Sequence, residues 1–130
     1  MNKGTIKGAP LAGRRVLLVE DQYLVAADLR RMVQGLGGVV VGPCPSVEEA
    51  LQTLKREAID LALLDINLGE ETAYPIAEAL RKQGSPFAFV TGYEPWNVDP
   101  RFADVPHLEK PVAPEGLLQL MNQFNEGARG

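Results

Sequence analysis

Short, wholly apolar runs alternate along the chain with longer stretches in which apolar residues recur every three or four positions. Four or five consecutive apolar residues are typical of strands buried on both faces, as in a parallel sheet. The pattern therefore predicts five strands, the fifth from a weaker run, at Val16–Val19, Val39–Val41, Leu61–Leu64, Phe87–Val90 and Val105–Glu109.

The stretches between these runs have helical spacing. Ser46 followed by Glu49 predicts a capping box at the start of the second helix, and Pro114 falls in the first turn of the last helix. The third helix should stop near Gly84. The apolar positions that mark four helices are Val25, Leu29, Met32 and Leu36; Val47, Ala50, Leu51 and Leu54; Ile76, Ala77 and Leu80; and Leu117, Leu120, Met121 and Phe124.

The fourth connection, residues 93–106, differs from the others because it contains three prolines and little helical periodicity. We expect a short or irregular fourth helix there, in a mobile segment. A strand–helix unit repeated five times predicts an α/β fold, with a parallel sheet and right-handed crossovers. Five strands in 130 residues match the flavodoxin-like order 2-1-3-4-5. We expect one domain over residues 14–126, a flexible lead at 1–13 and a flexible tail at 127–130.

Composition and charge exclude several classes of protein. Hydrophobic residues are 45% and charged residues 23% of the chain, which excludes disorder as the main state. Beyond Arg15 the chain carries all 17 acidic side chains, and this argues against nucleic acid as the main ligand. No run approaches a membrane helix and no secretory signal is visible. A single cysteine, Cys44, makes a reducing compartment the default, so we expect a cytoplasmic protein without a membrane partner.

Polar residues stand where four of the five apolar runs end. Glu20 and Asp21 follow the first run, Asp65 the third, Thr91 the fourth and Lys110 the fifth. In open α/β sheets, ligands bind outside the carboxyl ends of the strands. The fold should therefore gather these side chains at one edge of the sheet.

Three converging carboxylates repel one another, since two unit charges about 4 Å apart cost about 4 kcal/mol at an effective dielectric of about 20. An all-oxygen site with few protein ligands suits Mg²⁺, which keeps several waters and often meets phosphate oxygens. Zinc is disfavoured because the sequence has no His/Cys cluster. Lys110 supplies a positive charge for an anion and Thr91 a hydroxyl donor. The set predicts phosphoryl transfer to Asp65, forming an aspartyl phosphate.

Four motifs in order resemble those of the response-regulator receiver domain of two-component signalling, over about residues 14–126; they are Val16–Asp21, Leu63–Leu68, Thr91-Gly92 and Lys110-Pro111. The resemblance implies that Asp65 is the phosphoacceptor. It also implies that Asp21, Asp65 and the backbone carbonyl of Asn67 ligate Mg²⁺, with Glu20 acting through water. Thr91 would turn toward the phosphoryl group, Lys110 would pair with it, and the Lys110–Pro111 peptide would be cis.

A narrower resemblance lies in Pro86–Tyr93, which is similar to the "FAT GUY" group of receivers, with Val90 where that group prefers alanine. Such receivers are typically stand-alone bacterial proteins associated with general stress signalling and with histidine kinases of the HWE and related classes. The resemblance implies a single-domain response regulator, a signalling domain and not an enzyme. It would take its phosphoryl group from a histidine kinase or a phosphotransferase, and signal by protein contact or onward phosphotransfer.

Several residues have two interpretations. His107, the only histidine, stands where receivers usually carry Tyr or Phe, so it is either a plain strand-start residue or a switch sensitive to pH. Tyr93 is another switch candidate beside Thr91, or has a bland surface or core role. Trp96 either anchors a partner or covers the core. Cys44 is predicted to be inert packing.

Other classes of function are weaker. A non-phosphorylated pseudo-receiver acting as a binding adaptor predicts a damaged acidic pocket, but these acids are all present. A small phosphatase with an aspartyl-phosphate intermediate usually needs an acid two residues after the nucleophile, where Asn67 stands. A flavodoxin-type electron carrier needs a phosphate-binding loop where the first loop offers acids.

Overall fold

The computed structural model of the chain describes residues 9–92 and 98–129. Tyr93 and Trp96, for which the sequence suggests a switch and an anchor, lie outside the described residues. Within the described part, none of the helices is long and apolar enough to cross a membrane.

Five strands of the described chain form one parallel sheet: β1 (Arg15–Val19), β2 (Val39–Cys44), β3 (Leu61–Asp65), β4 (Phe87–Thr91) and β5 (His107–Glu109). Their order in the sheet is β2-β1-β3-β4-β5, which confirms the predicted flavodoxin-like fold. The central strands β1, β3 and β4 are the uninterrupted apolar runs and are almost wholly buried, whereas the edge strands β2 and β5 carry both buried and exposed residues.

Both faces of this sheet are covered by helices, which are α1 (Tyr23–Gly35), α2 (Val47–Arg56), α3 (Tyr74–Gln83) and α4 (Pro114–Arg129). Alternate residues of β1 point to opposite sides: Leu17 packs in the core beneath α2 and α3, and Leu18 packs in the core beneath α1 and α4. The predicted N-cap of α2 is confirmed, because Ser46 Oγ accepts a hydrogen bond from the N–H of Glu49 at 3.3 Å.

The fourth connection contains a single turn of 3-10 helix, Pro100–Phe102, in its described part. This confirms a short fourth helix. The ring of Phe102 is 1% exposed and stacks on Tyr74 with centroids 5.5 Å apart. Arg81 on α3 donates to the carbonyl of Arg101 at 2.9 Å and to the carboxylate of Asp104 at 3.0 Å. The described part of this connection is therefore packed against α3, where we expected a loose segment.

In the described chain, contacts with the core begin ahead of residue 14, at Leu11. Leu11 is 1% exposed within the core, and its N–H donates to the carbonyl of Leu36 at 2.9 Å. The N–H of Gly13 donates to the carbonyl of Gly37 at 3.1 Å. Residues 9–13 are therefore attached to the domain, because Leu11 packs among the residues of α1 and the sheet.

The last residues that the structure describes are helical. Helix α4 continues to Arg129, past the last apolar position of its core-facing pattern at Phe124. Once a helix is nucleated, each added residue gains a backbone hydrogen bond at little further cost, so a helix can outlast its buried face.

Two peptide bonds in the described chain are cis: Lys110–Pro111, which the resemblance implies, and Gly42–Pro43. At Gly42 the backbone φ is 99°, and the β1–β2 register shifts nearby, between Leu17 and Val19. A Cβ at this position would lie 2.8 Å from the backbone nitrogen of Cys44 and 2.9 Å from the carbonyl oxygen of Leu18. Only glycine fits this irregularity without a backbone shift.

Candidate functional site

The carboxyl ends of β1, β3 and β4 carry three buried polar side chains. Glu20 is 2% exposed, and Asp65 and Thr91 are each 6% exposed. They are neighbours because β3 lies between β1 and β4, with Val19 opposite Leu64 and Asp65 opposite Val90. The predicted gathering of polar strand ends at one edge is therefore observed.

Asp21 completes a cluster of acids with Glu20 and Asp65. Each of the three offers an oxygen, and these oxygens all lie within 4.8 Å of one another. Burial, followed by the charge of Asp65, raises the pKa of Glu20 from 4.5 to about 7. Asp21 itself is exposed, so the cluster opens to solvent on that side.

Lys110 reaches this cluster from the residue after β5. Its Nζ donates to Asp65 Oδ2 at 3.0 Å and lies 3.2 Å from Glu20 Oε1. It also donates to Gln22 Oε1 at 3.3 Å. Burial alone lowers the pKa of Lys110, but the hydrogen bond to Asp65 and the charges of Asp65 and Glu20 more than reverse this, so the pKa is raised above 10.5. Lys110 is thus a fixed positive charge beside Asp65.

Asn67 holds the other oxygen of Asp65. Its backbone N–H donates to Asp65 Oδ1 at 3.2 Å. Asn67 begins a short hairpin in which Asn67–Leu68 pairs with Glu71–Thr72. Both carboxylate oxygens of Asp65 are therefore oriented, one by a backbone donor and one by an ammonium.

Thr91 Oγ1 is buried without a hydrogen-bond partner among the described residues, and such an atom needs a physical explanation. Glu20 Oε1 likewise forms no hydrogen bond with the described residues, but it lies 3.2 Å from the ammonium of Lys110 and so has an ionic partner. The acid cluster offers three carboxylates, and one ammonium lies beside it in the described part of the site. The donor set is all oxygen and short of positive charge, which fits a divalent cation such as Mg²⁺.

His107 lies apart from this cluster. It is the first residue of β5, at the end of the strand away from Lys110, and its ring meets Phe89 edge-on at 5.8 Å. Partial burial lowers the pKa of His107. None of its contacts in the described chain reaches Asp65 or Lys110.

Cys44 is buried, and its Sγ lies 3.6 Å from Thr53 Oγ1. Burial raises the pKa of this thiol, so the group stays a neutral thiol near pH 7. The predicted packing role fits this environment.

Sequence reasoning missed Gln22 as a member of the site. Its side chain contacts Lys110 although the residue carries no charge and follows the acid pair without any periodic signal. One available clue was its position at the start of α1, where glutamine is an unusual N-cap.

Residues 16–122 match the family described as the response regulator receiver domain, and the chain belongs to this family. It is thus a signalling domain of two-component systems. The intact acidic pocket does not favour the pseudo-receiver adaptor.

Among solved structures, the solution structure of SdrG from Sphingomonas melonis Fr1 has a TM-score of 0.75 and 39% identity, covering 85% of this chain and 92% of that chain. The BeF3-activated conformation of SdrG from Pseudomonas melonis Fr1 has a TM-score of 0.75 and 38% identity, covering 87% of this chain and 97% of that chain.

Curated relatives are longer. The sensory transduction protein LytT of Bacillus anthracis is 28% identical over 116 residues, which are 86% of this chain and 47% of that protein. The phyllosphere-induced regulator PhyR of Methylorubrum extorquens is 28% identical over 121 residues, which are 88% of this chain and 45% of that protein. The chain therefore spans about half the length of these curated relatives.

Proposed function

We propose that this receiver accepts a phosphoryl group on Asp65 from a phosphohistidine of a sensor histidine kinase or a histidine phosphotransferase. The observation that carries the proposal is the setting of Asp65. Its carboxylate lies at the carboxyl edge of the sheet, 3.0 Å from the ammonium of Lys110 and within 4.8 Å of Glu20 and Asp21. This combination of nucleophile, fixed cation and acid cluster suits phosphoryl transfer better than it suits a binding adaptor that is not phosphorylated.

In the transfer, an oxygen of Asp65 attacks phosphorus. A P–O bond forms as the P–N bond to the donor histidine breaks, and the electron pair of that bond stays on the imidazole nitrogen. Lys110 is already placed to stabilise charge on the transferred oxygens. The Thr91 hydroxyl has no hydrogen-bond partner among the described residues and is available to donate to one of those oxygens, which supports a role for Thr91 as a switch residue.

A bound Mg²⁺ supplies positive charge to the phosphoryl oxygens. Glu20, Asp21, Asp65 and the backbone carbonyl of Asn67 are the groups that would hold it. The excess of three carboxylates over the one ammonium beside them in the described part of the site supports a cation at this position.

We further propose that the protein acts in the cytoplasm as a stand-alone regulator of the FAT GUY group, with a kinase of the HWE or a related class as its donor. The sequence Phe87–Gly92 and the 39% identity to SdrG, of whose structure the match covers 92%, support this. The likeness to PhyR, described as a stress response regulator, supports a role in stress signalling. Output would pass by protein–protein contact or onward phosphotransfer, with Tyr93 or His107 assisting the switch.

The test is phosphorylation of the purified chain by acetyl phosphate and by a phosphorylated histidine kinase. Wild type should gain one phosphoryl group by intact mass in Mg²⁺ and none in EDTA, whereas Asp65→Asn should gain none in either. Asp60→Asn is a matched control, because Asp60 is an exposed acid bonded to the N–H of Arg15 outside the site. Undiminished labelling of Asp65→Asn would overturn the assignment.

A further inference from the structure

Gln22 occupies the N-cap position of α1, yet its side chain forms no capping hydrogen bond. Ser, Thr, Asp and Asn are favoured there because their short side chains satisfy the free N–H groups of the first turn. The side chain of Gln22 instead extends to the site, where its Oε1 accepts from Lys110 Nζ at 3.3 Å. The side chain of Gln22 thus contacts the site, whereas a side chain at this position usually caps its own helix.

The backbone of Gln22 is also fixed. Its N–H donates to Glu20 Oε2 at 3.1 Å, and its carbonyl accepts from the N–H of Ala26 at 2.9 Å. The backbone of Gln22 is therefore held at the end of β1 and at the first turn of α1. The side chain extends from this fixed backbone toward Lys110, which approaches from the end of β5.

The three N–H groups of the Lys110 ammonium match three acceptor side chains. The distances from Nζ are 3.0 Å to Asp65 Oδ2, 3.4 Å to Glu20 Oε2 and 3.3 Å to Gln22 Oε1. Asp65 and Glu20 attract the ammonium by charge, whereas Gln22 fixes its direction without adding a further negative charge. An already oriented donor needs no reorganisation when charge develops on a transferred group.

We propose that Gln22 is a positioning residue whose amide oxygen holds the Lys110 ammonium beside Asp65 for phosphoryl transfer. The inference rests on the proposed function of Asp65. It assigns Gln22 no contact with the phosphoryl donor, since the residue acts through Lys110.

The experiment uses the full chain with acetyl phosphate as the donor and saturating Mg²⁺. Gln22→Met keeps the length of the side chain and removes the acceptor, and Gln22→Glu keeps an acceptor oxygen. The rate constant at saturating donor should fall about three- to tenfold in Gln22→Met, the usual effect of one hydrogen bond. The half-saturating donor concentration should stay unchanged. Gln22→Glu should recover most of the rate constant while raising the half-saturating concentration, because its charge repels an anionic donor.

A second measurement separates positioning from a general structural effect. Slowed exchange of the Lys110 ammonium protons, seen by side-chain NMR in wild type without donor, should be lost in Gln22→Met. The melting temperature should change little, since no capping bond is lost and the lost hydrogen bond to Lys110 is exposed to solvent. Gln52→Met on the exposed surface of α2 is the matched control and should match wild type in every readout. Gln22→Ala provides a second removal of the acceptor and should behave as Gln22→Met.

The outcomes separate the two proposals. If wild type is not phosphorylated on Asp65, the proposed function fails. If wild type is phosphorylated and both Gln22→Met and Gln22→Ala match its rate constant within twofold, the proposed function stands and the role of Gln22 is overturned.

Discussion

Replacing Glu20 by glutamine should stabilise the metal-free domain at pH 8. Burial and the neighbouring Asp65 raise the pKa of Glu20 from 4.5 to about 7 in the folded protein. Between these two pH values the folded chain holds a proton that the unfolded chain has lost, so the free energy of unfolding falls as the pH rises. The loss amounts to about 3 kcal/mol above pH 7, because a tenfold change in a protonation constant is worth about 1.4 kcal/mol.

Lys110 and His107 also have shifted pKa values, but neither produces the same fall in the free energy of unfolding as the pH rises. The pKa of Lys110 is raised, so its stabilising contribution is complete below pH 10.5 and constant over this interval. The lowered pKa of His107 acts in the opposite direction, with stability lost as the pH falls through 6.5. His107 is present in both wild type and Glu20→Gln, and its effect cancels in their difference.

Urea unfolding in EDTA from pH 4 to pH 8.5 measures that difference. It should grow from near zero at pH 4 to about 3 kcal/mol in favour of Glu20→Gln at pH 8. Glu70→Gln, which removes an exposed acid from the hairpin turn, is the matched control and should follow wild type. Mg²⁺ should reduce the difference in free energy of unfolding between the two proteins, because it offsets the repulsion between Glu20 and Asp65 in wild type. A difference that does not vary with pH, or a less stable Glu20→Gln at pH 8, would refute the reasoning.

Two packing predictions can be checked by the same unfolding assay. Phe102→Ala should lower the free energy of unfolding by about 3–5 kcal/mol, because it leaves a cavity where a fully buried ring was. Leu24 is 76% exposed, so Leu24→Ala should stay within about 0.5 kcal/mol of wild type. Equal effects of the two substitutions would contradict the packing of the fourth connection. Gly42→Ala should lower the free energy of unfolding more than Gly69→Ala does. Both glycines have a positive φ, but of the two only Gly42 has backbone atoms close to an added Cβ, at 2.8 and 2.9 Å. Equal losses of stability would show that the positive φ alone determines the effect.

The sheet was predictable because its central strands are buried on both faces. Such strands must be apolar throughout, so runs such as Leu61–Leu64 stand out and end where a polar side chain is needed. Leu11 could not be predicted in the same way, since a single apolar residue among small ones has no period. The hairpin of Asn67–Leu68 and Glu71–Thr72 was also missed, because two-residue strands are too short to show alternation.

The charged members of the site were predictable for a related reason. Glu20, Asp65 and Lys110 break or follow apolar runs, and parallel topology brings the ends of those runs together. The place of Gln22 in the site depends on the direction of one neutral side chain, and the spacing of residues in the sequence does not determine that direction. The sequence places His107 on the fifth strand but leaves open whether it belongs to the site. It lies apart from the site because it is the first residue of β5, whereas the site lies at the other end of the strand.

The burial of Leu11 also fixes where the chain enters the domain. Residues 9–13 lie beside Leu36 and Gly37, at the edge of the sheet opposite Asp65. The five residues of β1 separate the two edges by about 16 Å. An affinity handle joined ahead of residue 9 would therefore tether the protein to a sensor surface with the acidic pocket facing solution. A handle that replaced residues 9–13 would remove Leu11 from the core and weaken the immobilised sample.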